Sequence, residues 1–484
     1  MEQLKQTARE QIKQVPPQQI LSSLSRSRLE YFVKEFWPIV VPDPLVWNWH
    51  MSYLCTHLEQ QAKRVFQRLP KQKDTLINIS PGTSKSTIAS IMFPAWCWAN
   101  DPTVRILTAS YSSTLSTALA IKSRDIIRSD KYKLYFPEVE IKADQDNKTY
   151  YQNTRGGDRY ATSVTGTITG FHAHIIIVDD PMNAQEAISD NKLEGADRFM
   201  NQTLSTRKVD KEITPTILIM QRLHEADPSG TWMRNKPDQI NHICIPGEWT
   251  EWTRPPELKK HYQAGEGLMD PKRLSRDTLA RMKKELGTYG YAGQVLQSPI
   301  PLEGALWQKE WFKIIPREQI PPLSFLGTDY DLAYTKNDRN SASAYITAGS
   351  NKRAGNAAAD MYIVAAGAVH LEFPQLIAKM KTLQEPAYVE GMASGKSAVQ
   401  TLKAQGIPAK EVGIEGGDKI ARATLASPYA EAGRIYISQD IAEFILNDPD
   451  QGLLRFPNGT KDDLNDALVQ AINRLLKKRK ILVF

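Results

Sequence analysis

The sequence predicts an α/β chain of two sheet domains joined by a lid or linker segment, and three observations predict it. Short apolar runs alternate with helical stretches over the first 225 residues. A glycine-containing loop joins one of those runs directly to a helix. After residue 321, three strand-like runs in succession precede a helix and a fourth strand. Strands alternating with helices argue for a parallel sheet covered on both faces, and consecutive strands joined by polar turns argue for a meander. The expected boundaries are 1–225 for the first domain, 226–320 for the lid or linker and 321–484 for the second domain.

A length of 484 residues allows two or three domains, and 41% hydrophobic residues suffice for sizeable cores. Lysine and arginine number 61 against 54 aspartates and glutamates, for a formal charge of +7. That mild excess suits a polyanionic partner such as nucleic acid. Cys55, Cys97 and Cys244 are odd in number and far apart, which gives neither a zinc spacing nor a disulfide framework and fits a reducing compartment. The N-terminal MEQLKQTAREQIKQ lacks the apolar centre of a signal peptide. No run reaches the roughly 18 apolar residues of a transmembrane helix, so no membrane is expected.

Taken in order, residues 1–40 read as amphipathic helix broken at Pro16-Pro17, followed by the aromatic segment WPIVVPDPLVWNWH from Trp37 to His50 and a helix over 51–69. Strands are expected at Thr75–Ser80, Val104–Ser110, Tyr160–Val164, His174–Asp180 and Thr216–Met220. Residues 225–320 are rich in proline, tryptophan and charge, with one helical stretch at Ser275–Leu286 and prolines at 299, 301, 321 and 322. Then SFLGTDYD, SASAYITA and MYIVAAGAVH read as three strands, AYVE ending at Glu390 as a fourth, and Asp462–Lys478 as a closing helix. That is the opening order of an RNase H-like domain.

The run TLINIS leads straight into PGTSKST, Pro81 to Thr87, and then into IASIMF. A strand, a tight loop and a helix start form an anion site, because free N–H groups and the helix dipole both favour phosphate. Pro81, Gly82, Thr83, Ser84, Lys85, Ser86 and Thr87 are therefore candidate nucleotide contacts, with Lys85 reaching the β- and γ-phosphates and the Ser86 hydroxyl on Mg²⁺. The strict P-loop pattern would place glycines at 79 and 84, where the chain has Ile79 and Ser84. The run HIIIVDDP ends in Asp179 and Asp180, and acids at the carboxyl end of a buried parallel strand lie beside such a loop. One can hold Mg²⁺ while the next orients the attacking water. The strand TILIMQRLHE ends in Gln221 and Arg222, where a polar residue can sense the γ-phosphate and couple hydrolysis to motion.

In the second half, carboxylates recur where two-metal chemistry needs them. Asp329 and Asp331 lie two apart on the first strand and share a face. Asp338 follows in the turn, Glu390 ends the fourth strand, and Asp462, Asp463 and Asp466 open the last helix. Thr460 and Asp463 also read as a capping box. In an RNase H-like sheet the first and fourth strands are neighbours and the last helix packs beside them, so the three sources converge.

These residues resemble, over nearly the whole chain, the large terminase subunit of tailed double-stranded DNA phages. The likeness is carried by WHMSYLCTHL, LINISPGTSKST, TASYSSTLS, RYATSVTGTITGFHAHIIIVDDP, LIMQRLHEADPSG, LGTYGYAGQVLQSPIPLEGALW, FLGTDYDLAYT, YVEGMASGK and TKDDLNDALVQA in that order. The resemblance implies a P-loop (ASCE-type) ATPase domain followed by an RNase H-like nuclease. ATP and Mg²⁺ are the implied cofactors, with Mn²⁺ an alternative at the nuclease site. Lys85 and Ser86 become the Walker A lysine and hydroxyl, Asp179 the Walker B metal ligand, and Asp180 the acid that polarises water. Trp49 and His50 are placed near the adenine, and Gln221 in the coupling motif. Asp331, Glu390 and Asp463 become metal-holding nuclease carboxylates, with Asp466 a rival for the third place. Double-stranded DNA, a portal protein, a small terminase subunit, a procapsid and a ring of copies, a pentamer when docked, are the implied partners. The implied setting is the host cytoplasm, with transient docking on the portal and absence from the mature virion.

The chain departs from the family at Ser84, and its loop carries no arginine before Lys85. An arginine from elsewhere, on this copy or a neighbour, is then expected to meet transition-state charge, with Arg124, Arg128, Arg159 and Arg207 as candidates. A repair or helicase-type ATPase–nuclease unconnected with a capsid is the alternative function, and it predicts strand separation.

Overall fold

The continuous apolar runs of the first half fold as strands buried along their whole length. The computed structural model describes residues 16–166, 168, 170–300, 306–332, 343–351, 359–383, 385–391, 393–413, 418–459 and 461–477. The chain divides into two compact units, one of residues up to Ala280 with Gly290–Ile300, the other of Arg281–Tyr289 with residues from 301 onward. Asp338 and Thr460, and all residues after Lys477, lie outside the described residues.

The first unit is built on strands β1 (Asp74–Ile79), β2 (Ile106–Ser110), β3 (Ile141–Asp146), β4 (Tyr150–Asn153), β5 (Asp158–Ser163), β6 (Ile175–Asp179), β7 (Thr216–Met220) and β8 (Ile240–Ile245). Their order in the sheet is β3-β4-β5-β2-β6-β7-β1-β8. From β5 to β8 all neighbours are parallel, whereas β3, β4 and β5 pair antiparallel. Every residue of β1, β2, β6 and β7 is buried, as a strand covered on both faces requires. The strand β7 lies between β1 and β6, the inserted-strand order of an ASCE-type sheet. The segment 226–320, expected as lid or linker, supplies β8 to this sheet and divides between the two units.

The helix that follows the phosphate loop opens with a wide π-turn, Thr87–Met92, and continues as Phe93–Asn100. Pro94 stands in its first turn and has no N–H to give Ser90, four residues back. Arg159, 1% exposed, takes up that carbonyl instead, with Nη2 2.6 Å from the Ser90 oxygen. The helix Leu29–Val40 buries Leu29, Phe32, Val33, Phe36, Trp37 and Val40 along one stripe. There Phe32 and Phe36 stack with Phe136, and their rings meet Tyr132 edge-on.

The second unit carries β9 (Phe312–Ile315), β10 (Ser324–Asp331), β11 (Ser343–Ser350), β12 (Met361–Val369), β13 (Ala387–Glu390), β14 (Ala409–Val412) and β15 (Ile435–Ser438). Their order is β14-β13-β10-β11-β12-β15-β9. The three central strands form the expected antiparallel meander, and β13 pairs parallel with β10. The helix Asp463–Leu475 turns Leu464, Ala467, Leu468, Ala471 and Ile472 into the core, at the spacing of one helical face. On the other side, Leu376, Ile377, Met380, Ala398 and Leu402 pack with Tyr330 and Val389. Among the described residues no helix is long and apolar enough to cross a membrane.

Candidate active sites

At the carboxyl end of β1 the chain turns through Ser80 and Pro81 into a loop held by its own polar atoms. The Thr83 hydroxyl donates to the Ser80 carbonyl at 2.9 Å, and the Ile88 amide to the Ser84 carbonyl at 3.0 Å. Gly82 takes φ 74° and Ser84 φ 64°. Both are left-handed, a conformation glycine adopts freely and serine only with strain. The loop thus has a phosphate-loop backbone without the second glycine. Arg273 donates from Nη1 to the Ser84 hydroxyl at 3.1 Å and from Nη2 to the Val46 carbonyl at 2.6 Å.

Of the two expected adenine neighbours, His50 touches this loop and Trp49 packs elsewhere. His50 is fully buried, and its Nε2 lies 3.1 Å from the Thr83 carbonyl. A carbonyl only accepts, so Nε2 carries the proton. Burial pushes the His50 pKa down to about 4, and its Nδ1 has no hydrogen-bond partner among the described residues. Trp49 stacks on His261 at 4.5 Å and donates from Nε1 to the Met269 carbonyl at 2.9 Å.

The acids of β6 meet the loop directly. Asp179 is 2% exposed and accepts from the Ser86 hydroxyl at 3.0 Å and the Ser90 hydroxyl at 2.6 Å. Burial first, then the charge of Asp180, raises its pKa to about 6. Asp180 takes φ 45° and points one oxygen at the Lys85 ammonium, 3.0 Å away. Its other oxygen accepts the Gln221 amide at 3.2 Å. The Gln221 Oε1 is buried with no hydrogen-bond partner among the described residues. Lys85, Ser86, Asp179, Asp180 and Gln221, drawn from three strands, thus converge on one spot. A hydroxyl, carboxylates and buried unpartnered polar atoms are the donor set that a nucleotide with a hard divalent cation needs.

The four arginines expected as candidates to meet transition-state charge, on this copy or a neighbour, are engaged elsewhere. Arg124 and Arg128 both pair with Asp146, Arg159 is buried on Ser90, and Arg207 bonds Thr206 and the Ile168 carbonyl. Sequence reasoning missed Arg273, and it missed the tie from the Gln297 side chain to the Arg222 amide at 3.0 Å. Neither has a local pattern, since each partner comes from a distant stretch of chain.

In the second unit, β10 and the helix Asp463–Leu475 run side by side, and the helix presents Asp466, Gln470 and Arg474 four residues apart. Asp329, fully buried, takes Arg474 at 2.7 Å and Gln470 at 3.2 Å. It is an ion-paired core group, which takes it out of the acid cluster that its spacing from Asp331 suggested. Asp331 is different. Burial raises its pKa to about 8, with Asp466 adding to the rise, Lys419 opposing it, and Asp463 and Glu390 adding less. Glu390 lies 2.7 Å from Arg422. Asp466 is 6% exposed and lies 2.9 Å from Lys419 and 3.3 Å from Arg422. Asp463 accepts from Gln451 at 3.2 Å, and Asp462 pairs with Lys419 at 2.6 Å.

Strand, neighbouring strand and final helix therefore bring Glu390, Asp463 and Asp466 within electrostatic reach of Asp331. Carboxylates suit Mg²⁺ or Mn²⁺. As they stand, however, no three acids among the described residues are gathered closely enough to hold a metal ion. Lys419 and Arg422, which sequence reasoning also missed, are paired with them.

No family model matches the sequence, and a search of curated proteins matches none. Two solved structures of the large terminase from a thermophilic bacteriophage, in different crystal forms, are similar to the chain. One has 13% identity over 86% of this chain and 98% of that one, with TM-score 0.52. The other has 12% identity over 86% of this chain and 98% of that one, with TM-score 0.50. At these identities the likeness is one of fold, and the chain has the fold of a phage large terminase.

Proposed function

We propose that the chain is a DNA-packaging motor: an ATP hydrolase that drives double-stranded DNA into a procapsid, and a metal-dependent endonuclease that cuts concatemeric DNA. The observation that carries this reading is the direct contact of Lys85 with Asp180, and of Ser86 with Asp179, at the carboxyl edge of an ASCE-ordered sheet. The fold shared with a phage large terminase supports it, as does the second sheet with its converging carboxylates.

In this reading Lys85 and the loop amides hold the ATP phosphates, with Trp49 and His50 at the base. Ser86 and Asp179 would hold Mg²⁺, which neutralises phosphate charge. Asp180 orients a water for attack on the γ-phosphorus, the bond to ADP breaks, and Gln221 senses the loss of the γ-phosphate. In the nuclease, Asp331, Glu390 and Asp466 would hold Mg²⁺ or Mn²⁺, with Asp463 beside them. Asp466 takes the third place because its charge acts on Asp331 more strongly than that of Asp463, which is engaged by Gln451. The motor works as a ring of copies, a pentamer on the portal, fed by a small terminase subunit in the host cytoplasm and absent from the mature virion. Its pull acts on the phosphate backbone and needs no base-reading motif.

The test is a translocation assay with purified procapsids, in parallel with strand displacement on a forked duplex. ATP-dependent protection of DNA from added nuclease, lost in Lys85→Ala, is the expected result. Strand displacement without DNA protection would replace this reading with a helicase-type one.

A further inference from the structure

The carboxylates of the second unit are already neutralised in part, and by side chains of one helical face. Lys419 and Arg422 lie three apart on the helix Lys419–Glu431, whose first turn is fixed by Asp418 accepting the Ala421 amide at 2.9 Å. Asp466 stands between the two cations, 2.9 Å from Lys419 and 3.3 Å from Arg422. Lys419 also reaches Asp462 at 2.6 Å, and Arg422 reaches Glu390 at 2.7 Å. A divalent metal binds such oxygens at about 2.0–2.1 Å. An ammonium group on the same carboxylate then faces a doubly charged ion at close range, in a site where water screens little.

The two cations are not equivalent. Each reaches two carboxylates, but the Arg422 guanidinium is a planar fork, 16% exposed, whereas Lys419 is a point charge on a flexible stem, 39% exposed. Lys419 can leave for solvent, and Arg422 is held.

We propose that Lys419 is an internal counter-ion that occupies the nuclease carboxylates until a divalent cation displaces it from Asp466, while Arg422 stays and orients Glu390. Metal binding and release of Lys419 are then one event. The nuclease is held off until divalent cation is plentiful enough to win Asp466. This rests on reading the carboxylates as the nuclease centre.

The experiment uses the full chain stripped with EDTA. Lysine acetylation, read by mass spectrometry on the wild-type protein, measures the reactivity of Lys419 with and without Mn²⁺. Calorimetry measures Mn²⁺ binding by wild type, Lys419→Met and Asp331→Asn. Lys419 is expected to acetylate several-fold faster when Mn²⁺ is bound. Lys419→Met is expected to bind Mn²⁺ at least about tenfold more tightly, since a like charge has been removed from beside the ion. Equal reactivity with and without Mn²⁺, or an affinity in Lys419→Met no tighter than wild type, overturns the proposal. Should Lys419→Met fail to fold, the labelling of the wild type decides alone. If Asp331→Asn removes none of the Mn²⁺ binding, the nuclease reading itself falls. If it removes that binding while Lys419 behaves the same throughout, only the counter-ion proposal falls.

Discussion

The Lys85 ammonium lies 3.0 Å from Asp180, and the same carboxylate accepts the backbone amide of Gln221. In the proposed reading, an incoming nucleotide draws Lys85 away from the acid that orients water, which ties phosphate binding to the end of β7. Lys85→Ala is expected to bring phosphate release to background. Asp180→Asn is expected to lower kcat by about 10²–10⁴, the range for a lost general base, with KM little changed. Both variants should still cut plasmid DNA in Mn²⁺. An Asp180→Asn enzyme with near-normal kcat would remove Asp180 from the mechanism.

Ser84 stands at φ 64°, where a Cβ is strained. Ser84→Gly is expected to relieve about 1 kcal/mol of that strain and to raise the midpoint of thermal unfolding. It also removes the hydroxyl that Arg273 uses, so Arg273 loses one of its anchors. A lower midpoint in the variant would mean that the Arg273 bond outweighs the backbone strain.

The two candidate acids of the last helix can be told apart. Asp466→Asn is expected to abolish metal-dependent plasmid cutting, as Asp331→Ala and Glu390→Gln should. Asp463→Asn, whose native side chain is bonded to Gln451, is expected to retain measurable cutting. Nicking assays over a range of Mn²⁺ give the comparison, and the reverse ranking would restore Asp463 to the third place.

Asp329 and Arg474 form a buried pair, with side chains 0% and 9% exposed. Arg474→Met leaves a buried carboxylate without its partner and is expected to destabilise the second unit by about 3–5 kcal/mol. Combining it with Asp329→Leu should recover most of that loss. Urea unfolding measures both, and a loss that the double variant does not recover would show that the bonds from Arg474 to the Phe325, Gly327 and Ala348 carbonyls, not the ion pair, are at stake.

Burial lowers the pKa of His50, His174 and His242 from 6.5 to about 4 each. The folded state thus resists protons that the unfolded chain takes up. Their contribution to stability is complete above pH 6.5 and is lost as the pH falls from there towards 4. The His242 Nε2 lies 2.9 Å from the side-chain amide oxygen Oδ1 of Asn78, so it donates. His242→Gln keeps a donor and removes the titration. Its unfolding midpoint is expected to fall less steeply than that of wild type across this window, as scanning calorimetry would show. Parallel curves would mean that His242 does not titrate on unfolding.

What could be read from the sequence follows the physics of each element. The strands β1, β2, β6 and β7 are legible because burial on both faces demands an unbroken apolar run. The strands β3 and β4, IKADQD and YYQN, are not, since an antiparallel edge pair tolerates polar residues on its open face. The strand β8, INHICI, hides Asn241 and His242 among its apolar residues and sits in a stretch dominated by proline and tryptophan. The candidate roles of Lys85, Asp179 and Asp180 are visible because the two acids close a strand and Lys85 stands in the short loop that leaves one. Ser84 looked like a defect in the loop, because a motif records residue types whereas the anion site depends on backbone shape. Arg273, Lys419 and Arg422 act across the fold, and nothing near them in the chain marks their partners.

The segment Gly290–Ile300 belongs with the first unit although Arg281–Tyr289 belongs with the second. Val295 there accepts the Ser80 hydroxyl at the mouth of the phosphate loop, and Gln297 accepts the amide of Arg222. A ribosome that has released only the residues up to Ala280 has therefore made every strand of the first sheet but not the residues that close its catalytic edge. The first unit matures after the last of its own strands has been made, once the chain has passed through the other unit and come back. A fragment ended at Ala280 would keep its sheet and leave two polar groups beside the loop without their partners.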